Sequence, residues 1–231
     1  MRHQILSITQ RLRLPAICAL CNQYHHGKLA VCTECQKHLS PIKHACIHCA
    51  LPLLDNIFLI CGHCIKKKPH VDFVIAANKF EEPLRTLLHE FKYNEGLYLS
   101  SFFTSLILNA IPTEAKTTEC LIPVPLHNKR LRQRGFNQTA LLAKELGRAL
   151  KLPYNLTYCS KIINTAPQAS LNADGRKANL KNSFHVKSNK YKHITLIDDL
   201  LTTGSTVNEL AKTLKQQGVS RVDVWCCARA I

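Results

Sequence analysis

Apolar positions along this chain change period several times, and each change marks a predicted element. The first long apolar run, over 73–78, reads as a buried strand. Leu84, Leu87, Leu88 and Phe91 then recur at helical spacing, as do Leu99, Phe102, Phe103, Leu106 and Ile107. A second strand ends at Pro123-Val124-Pro125, and a helix is predicted over 139–150. Short strands over 157–163 and 183–187 bracket a polar stretch. From Ile194 an apolar run leads into two acids and a hydroxyl-rich turn, after which Val207, Leu210, Ala211 and Leu214 form one helix face. Gly218 stops that helix and a last strand covers 221–227, with Cys226 and Cys227 as core and edge residues and not ligands. Alternating strands and helices predict an α/β architecture with a mostly parallel sheet covered on both faces.

The first 70 residues follow a different pattern. Ile5, Leu6, Ile8, Leu12 and Leu14, with Arg2, Arg11 and Arg13, fit a short amphipathic helix that packs on its own protein. Four Cys-x-x-Cys pairs follow, Cys18/Cys21, Cys32/Cys35, Cys46/Cys49 and Cys61/Cys64, separated by 10, 10 and 11 residues. Each such turn presents two sulfurs to one tetrahedral ion, and two turns close a Cys₄ site that supplies folding energy to a segment too small for its own core. Nearly equal gaps permit a sequential or a cross-braced pairing. We adopt the sequential one, Cys18/Cys21/Cys32/Cys35 and Cys46/Cys49/Cys61/Cys64, with structural Zn²⁺ in both sites. His48 and His63 lie inside Cys-x-x-Cys turns as bystanders. Lys66-Lys67-Lys68-Pro69-His70 reads as a linker, which predicts a zinc module over 1–70 and an α/β domain over 71–231.

The strand-to-helix corner at 194–206 carries the chemistry. A helix N-terminus with unpaired amides favours a phosphate. Around it Thr202, Thr203, Ser205 and Thr206 add hydroxyls, and Gly204 allows close approach. Four or five donors at roughly 1.5–3 kcal/mol each suffice to hold a sugar phosphate. Asp198 and Asp199, acceptors when ionised, suit ribose hydroxyls and positive charge developing at an anomeric carbon. No Gly-Lys-Ser/Thr is present, so this is not a Walker loop. Two acids followed by Thr-Thr-Gly-Ser-Thr resemble the phosphoribosyl pyrophosphate (PRPP) signature of type I phosphoribosyltransferases. That resemblance implies Mg²⁺-PRPP as ligand, with its 5′-phosphate on Thr202, Thr203, Gly204, Ser205 and Thr206. Hypoxanthine-type relatives carry an acid where this chain has Thr202, which argues against a 6-oxopurine acceptor.

Lys129, Arg130, Arg132 and Arg134 follow the strand that ends at Pro125, on the side where open α/β sheets bind ligands, and offer counter-charge to a pyrophosphate. Lys92 ends its predicted helix as a solvated cap, with an anion contact as the lesser alternative. The polar stretch over 164–179, with Thr165, Gln168, Arg176 and Asn179, resembles the flexible loop that folds over PRPP in type I enzymes. The cysteine pairs, Pro123-Val124-Pro125 followed by Arg134-Gly135-Phe136-Asn137-Gln138, and the acid-acid-turn corner together resemble the ComF family of competence proteins over nearly the whole chain. The resemblance implies a type I phosphoribosyltransferase-like fold behind a double zinc ribbon and a link to natural DNA uptake. Other DNA-uptake proteins are implied as partners.

Composition narrows these readings. The 231 residues are 46% apolar and carry a formal charge of +16. Eight thiolates and two Zn²⁺ lower that by four, which leaves a strongly basic chain suited to an anionic partner, PRPP or single-stranded DNA. Eight of the 12 cysteines lie in the metal pairs and no signal peptide is evident, so a reducing, cytoplasmic setting is expected. No apolar run is long enough to span a membrane. Three functions fit: a phosphoribosyl transferase with an unidentified nitrogen acceptor, a non-catalytic PRPP-sensing scaffold, and a single-stranded DNA-handling factor. Trp225 and scattered Tyr and Phe are the only candidates for base stacking in the last of these.

Overall fold

The computed structural model describes residues 15–55, 57–93, 96–112, 117–163, 182–187 and 190–231. The expected N-terminal amphipathic helix and the loop residues Thr165, Gln168, Arg176 and Asn179 lie outside them. The chain begins with small pieces: a two-residue antiparallel pair, β1 (Ala16–Ile17) and β2 (Tyr24–His25), and two single-turn helices, α1 (Thr33–Gln36) and α2 (Gly62–Lys66). Regular structure is sparse because the eight cysteines organise this third of the protein. Their sulfurs form two groups, Cys18/Cys21/Cys32/Cys35 and Cys46/Cys49/Cys61/Cys64, with all ligand atoms of a group within 4.8 Å of one another.

Beyond them β3 (Phe73–Lys79), α3 (Leu84–Tyr93), a 3₁₀ turn (Gly96–Leu99), α4 (Ser100–Ala110) and β4 (Cys120–Pro123) follow in order. Helices α5 (Asn128–Arg134) and α6 (Gln138–Leu150) lead to a small antiparallel pair, β5 (Cys159–Lys161) and β6 (Phe184–Val186). The chain closes with β7 (His193–Leu201), α7 (Ser205–Gln216) and β8 (Arg221–Arg229). Strands β3, β8, β7 and β4 make one parallel sheet in that order. The α/β class with a mostly parallel sheet and a Cys₄ zinc-ribbon module is therefore what the structure shows.

Central strands of a parallel sheet are buried on both faces. Accordingly β8 is buried from Val222 through Arg229, which takes in Cys226, Cys227 and Trp225. On one face Val74, Ile122, Leu196 and Val224 pack under α7 through Val207, Leu210 and Leu214. On the other, Ile75, Leu121, Ile197 and Trp225 meet Leu87, Phe91, Phe103 and Leu142 from α3, α4 and α6. The two zinc sites straddle the β3 edge: Cys18 and Val31 join the second cluster, Ala50 the first. The edge itself is covered by the chain between them. Lys79 N–H donates to Ser40 O at 2.8 Å, Ile42 N–H to Ala77 O at 3.1 Å and Val74 N–H to Ile47 O at 2.7 Å.

The basic run after β4, to which the sequence pattern assigns no element, is the helix α5. Its start is capped by His127, whose Nδ1 accepts from Lys129 N–H, and it ends on Gly135 at φ +80°, which only a residue without Cβ adopts freely.

Candidate ligand corner at the C-terminal end of the sheet

Strand β7 delivers Asp198 and Asp199 to the end of the sheet, and three residues past its end the chain turns through Gly204 at φ +73° into α7. A Cβ on Gly204 would meet nothing within 4 Å, so the glycine is there for its backbone conformation, not for space. Gly204 is the N-cap residue and offers no side chain to the first turn of α7. Thr203 Oγ1 accepts from Ser205 N–H at 3.3 Å and lies 2.8 Å from Ser205 Oγ, tightening the corner. Thr202 and Thr203 are exposed, and Gly204, Ser205 and Thr206 half-buried. The turn thus faces outward with its hydroxyls clustered at a helix N-terminus, the environment an anion prefers.

The two acids are not equivalent. Asp199 is buried, and its Oδ2 takes an ion pair from Lys92 Nζ at 3.1 Å and a hydrogen bond from Gln138 Nε2 at 3.2 Å. Asp198 is half-buried, and its Oδ1 accepts from the Asp199 amide at 2.9 Å. Burial, then the neighbouring Asp199 carboxylate, push the Asp198 carboxyl up to about 8, with Lys92 opposing. Burial works against the Lys92 ammonium, but the Asp199 charge outweighs it and holds Lys92 above its usual range. Lys92 is therefore an anion contact and not the solvated cap taken as its default. Its anion is internal to the protein.

Gln138 belongs to the Arg-Gly-Phe-Asn-Gln run but carries no role in the sequence reading. Its place is fixed by the start of α6. Asn137 caps Thr139 N–H and donates from Nδ2 to Val124 O, while Thr139 Oγ1 donates to the same carbonyl at 2.8 Å. These bonds tie the helix to the end of β4 and aim Gln138, 3% exposed, at Asp199. Lys161 is a second residue the sequence leaves unmarked. It ends β5, and its ammonium is brought down to about 8 by burial and by Arg130 nearby, against the pull of Asp198. The pairing of β5 with β6 joins the two ends of the polar stretch beside this corner.

Of the four α5 cations, Arg130 and Arg134 are half-buried, and Arg134 lies over the Tyr93 ring at 4.9 Å. Lys129 and Arg132 are exposed. On the other side of the turn a cavity of about 320 Å³ separates Thr203 and Ser205 from His48, His63, Lys68 and Lys212. Neither Asp198 nor Asp199 lines it. Trp225 is fully buried and is removed as a base-stacking platform.

The metal sites follow the sequential pairing. Sγ separations of 3.9 Å for Cys21–Cys32 and 3.6 Å for Cys49–Cys61 exclude disulfides. They suit two thiolates on a tetrahedral ion with Zn–S near 2.3 Å. Cys18 Sγ also accepts from the Leu20 and Cys32 amides. With four sulfurs each, both sites are closed and structural.

The family model described as a double zinc ribbon domain matches residues 9–65. Competence protein F of Haemophilus influenzae is 35% identical over 216 residues, covering 89% of this chain and 93% of the relative. DNA utilization protein YhgH of Escherichia coli is 33% identical over 227 residues, covering 95% of this chain and 100% of the relative. Competence protein ComFC of Bacillus subtilis is 27% identical over 201 residues, covering 81% and 79%. Among solved structures, orotate phosphoribosyltransferase from Aeropyrum pernix aligns with a TM-score of 0.34 at 14% identity, over 56% of this chain and 70% of that one. Among the described residues, no helix is long and apolar enough to cross a membrane.

Proposed function

We propose, for a chain that belongs to the ComF family of competence protein F, YhgH and ComFC, that the β7–α7 corner binds Mg²⁺-PRPP and serves DNA uptake or utilization. The observation that carries this reading is the conjunction at one corner of an outward, glycine-turned helix N-terminus and a carboxylate pair held in place by Lys92 and Gln138. The 5′-phosphate sits on the amides and hydroxyls of Thr202–Thr206. The ribose hydroxyls lie toward Asp198, the more accessible acid, while Asp199 is the anchor that positions it.

The pyrophosphate draws on Arg130, Arg134 and Lys161, with Lys129 and Arg132 at the rim and Thr165, Gln168 and Arg176 from the loop. Mg²⁺ on such a ligand supplies charge neutralisation at the pyrophosphate, and the raised Asp198 carboxyl gives that charge a reason to be there. A buried acid that resists ionisation alone ionises readily beside a dication or a developing oxocarbenium ion.

As a transferase the site would break the C1–O bond to pyrophosphate and form a C1–N bond to a nitrogen acceptor; no general base for that acceptor stands out among the described residues. Calorimetry with Mg²⁺-PRPP on the wild type and an Asp198→Asn/Asp199→Asn variant tests binding, and release of pyrophosphate across a panel of bases, amines and nucleotides tests transfer. Wild-type heat lost in the variant supports the reading; no wild-type heat ends it. Heat without release leaves a PRPP-sensing scaffold.

A further inference from the structure

Arg229, the last residue of β8, is 7% exposed, and among the described residues no carboxylate lies within ion-pairing distance of it. A buried guanidinium without a counter-charge is costly, so its surroundings must compensate. They do so from three segments. Nε donates to Cys49 O at 2.8 Å, and Nη1 donates to Leu201 O at 3.1 Å and to the carbonyls of Thr202 and Ala230. Cys49 is a ligand of the second Cys₄ site, and four thiolates around one Zn²⁺ leave a formal charge of about −2 there. The metal cluster is thus the anion that Arg229 faces.

The Leu201 and Thr202 carbonyls open the phosphate turn. In a planar trans peptide the C=O and the N–H point in opposite directions. Holding Leu201 O and Thr202 O toward Arg229 therefore directs the amides of Thr202 and Thr203 away from it. Among the described residues, no hydrogen bond joins the first Cys₄ site to this turn.

We propose that Arg229 is a positioning residue that makes the phosphate turn depend on zinc in the second Cys₄ site. With zinc bound, the guanidinium is held between the anionic cluster and the turn carbonyls, and the turn amides are set for an anion. With zinc removed, the Cys49 segment is no longer fixed by the metal, its carbonyl no longer anchors the guanidinium, and the turn loses its buttress. The dependence is reciprocal, so a ligand on the turn tightens zinc binding at the second site and not at the first. This rests on the reading of the corner as a PRPP site.

The test uses the full zinc-loaded chain and the variants Arg229→Lys and Arg229→Met. All should retain two zinc ions per chain. Mg²⁺-PRPP should bind Arg229→Met roughly ten- to a hundredfold more weakly than wild type, with Arg229→Lys between them. In equilibrium competition with a chromogenic chelator, saturating PRPP should raise zinc affinity several-fold at the site that Cys61→Ser removes, and Arg229→Met should abolish that rise. Wild-type PRPP affinity in Arg229→Met, or zinc affinity indifferent to bound PRPP, overturns the proposal. If the wild type binds no PRPP, the ligand assignment falls, and the coupling is read by hydrogen exchange at 202–205 instead. Faster exchange on chelation in wild type, already present in Arg229→Met, supports it; exchange unmoved by chelation refutes it.

Discussion

The sheet carries buried acids at both ends, and they are treated in opposite ways. At the N-terminal end Asp223 is fully buried and saturated: Oδ2 lies 2.8 Å from His193 Nε2 and Oδ1 accepts from Arg221 Nε at 3.0 Å. Asp72 beside it takes Lys215 Nζ and the Val222 amide, both at 2.8 Å. At the C-terminal end Lys92 and Gln138 both meet Asp199 on Oδ2, and Asp198 keeps a carboxyl pushed up to about 8. Saturation marks acids that lock strands together. Unspent acceptor capacity and a shifted carboxyl mark a site that expects something from outside.

The largest test of that contrast is Asp223→Ala, which strips Arg221 and His193 of their shared partner. It should cost about 3 kcal/mol in denaturant unfolding and leave PRPP affinity unchanged. Asp199→Asn should cost about 2 kcal/mol, because Lys92 keeps some access to water, and should abolish PRPP binding in calorimetry. Gly204→Ala forces a side chain into left-handed backbone with open space around it, for a loss of about 1 kcal/mol and a weaker phosphate contact.

Asp198→Asn is read as a change of slope, not as a single loss of stability. The folded protein keeps the Asp198 proton up to about 8, whereas an unfolded chain releases it near about 4. Between these values the folded state binds more protons, so stability falls as pH rises. The asparagine variant should flatten that part of the pH–stability curve and be no less stable than wild type at pH 8. A steeper fall in the variant would contradict the assignment.

Much of the corner is legible in the chain because it is local. Strand, acids, turn and helix occupy one continuous stretch, and the cysteine pairs fall into their two groups in sequence order. What escapes is whatever long-range packing creates. Lys92 reads as a solvated helix end until α3 is laid over the end of β7, more than a hundred residues on. Gln138 looks like an ordinary first-turn residue until Asn137 and Thr139 pin α6 to Val124. Arg229 lies beyond the strand expected over 221–227, and only the extension of β8, between β3 and β7, buries it. The same burial takes Trp225 from a candidate platform to the heart of the core. For α5 the signals were present in His127 and Gly135, but the charge of the run outweighed them.

The covering of β3 by residues 40–47 has a consequence for a cell short of metal. That segment hangs between two clusters that exist only when zinc fills them, so demetallation would bare a row of main-chain donors and acceptors along an apolar strand. Such a rim recruits its own kind. Starved of zinc, the protein should be lost by sticking to other copies of itself sooner than by melting, and light scattering after chelation would see it first.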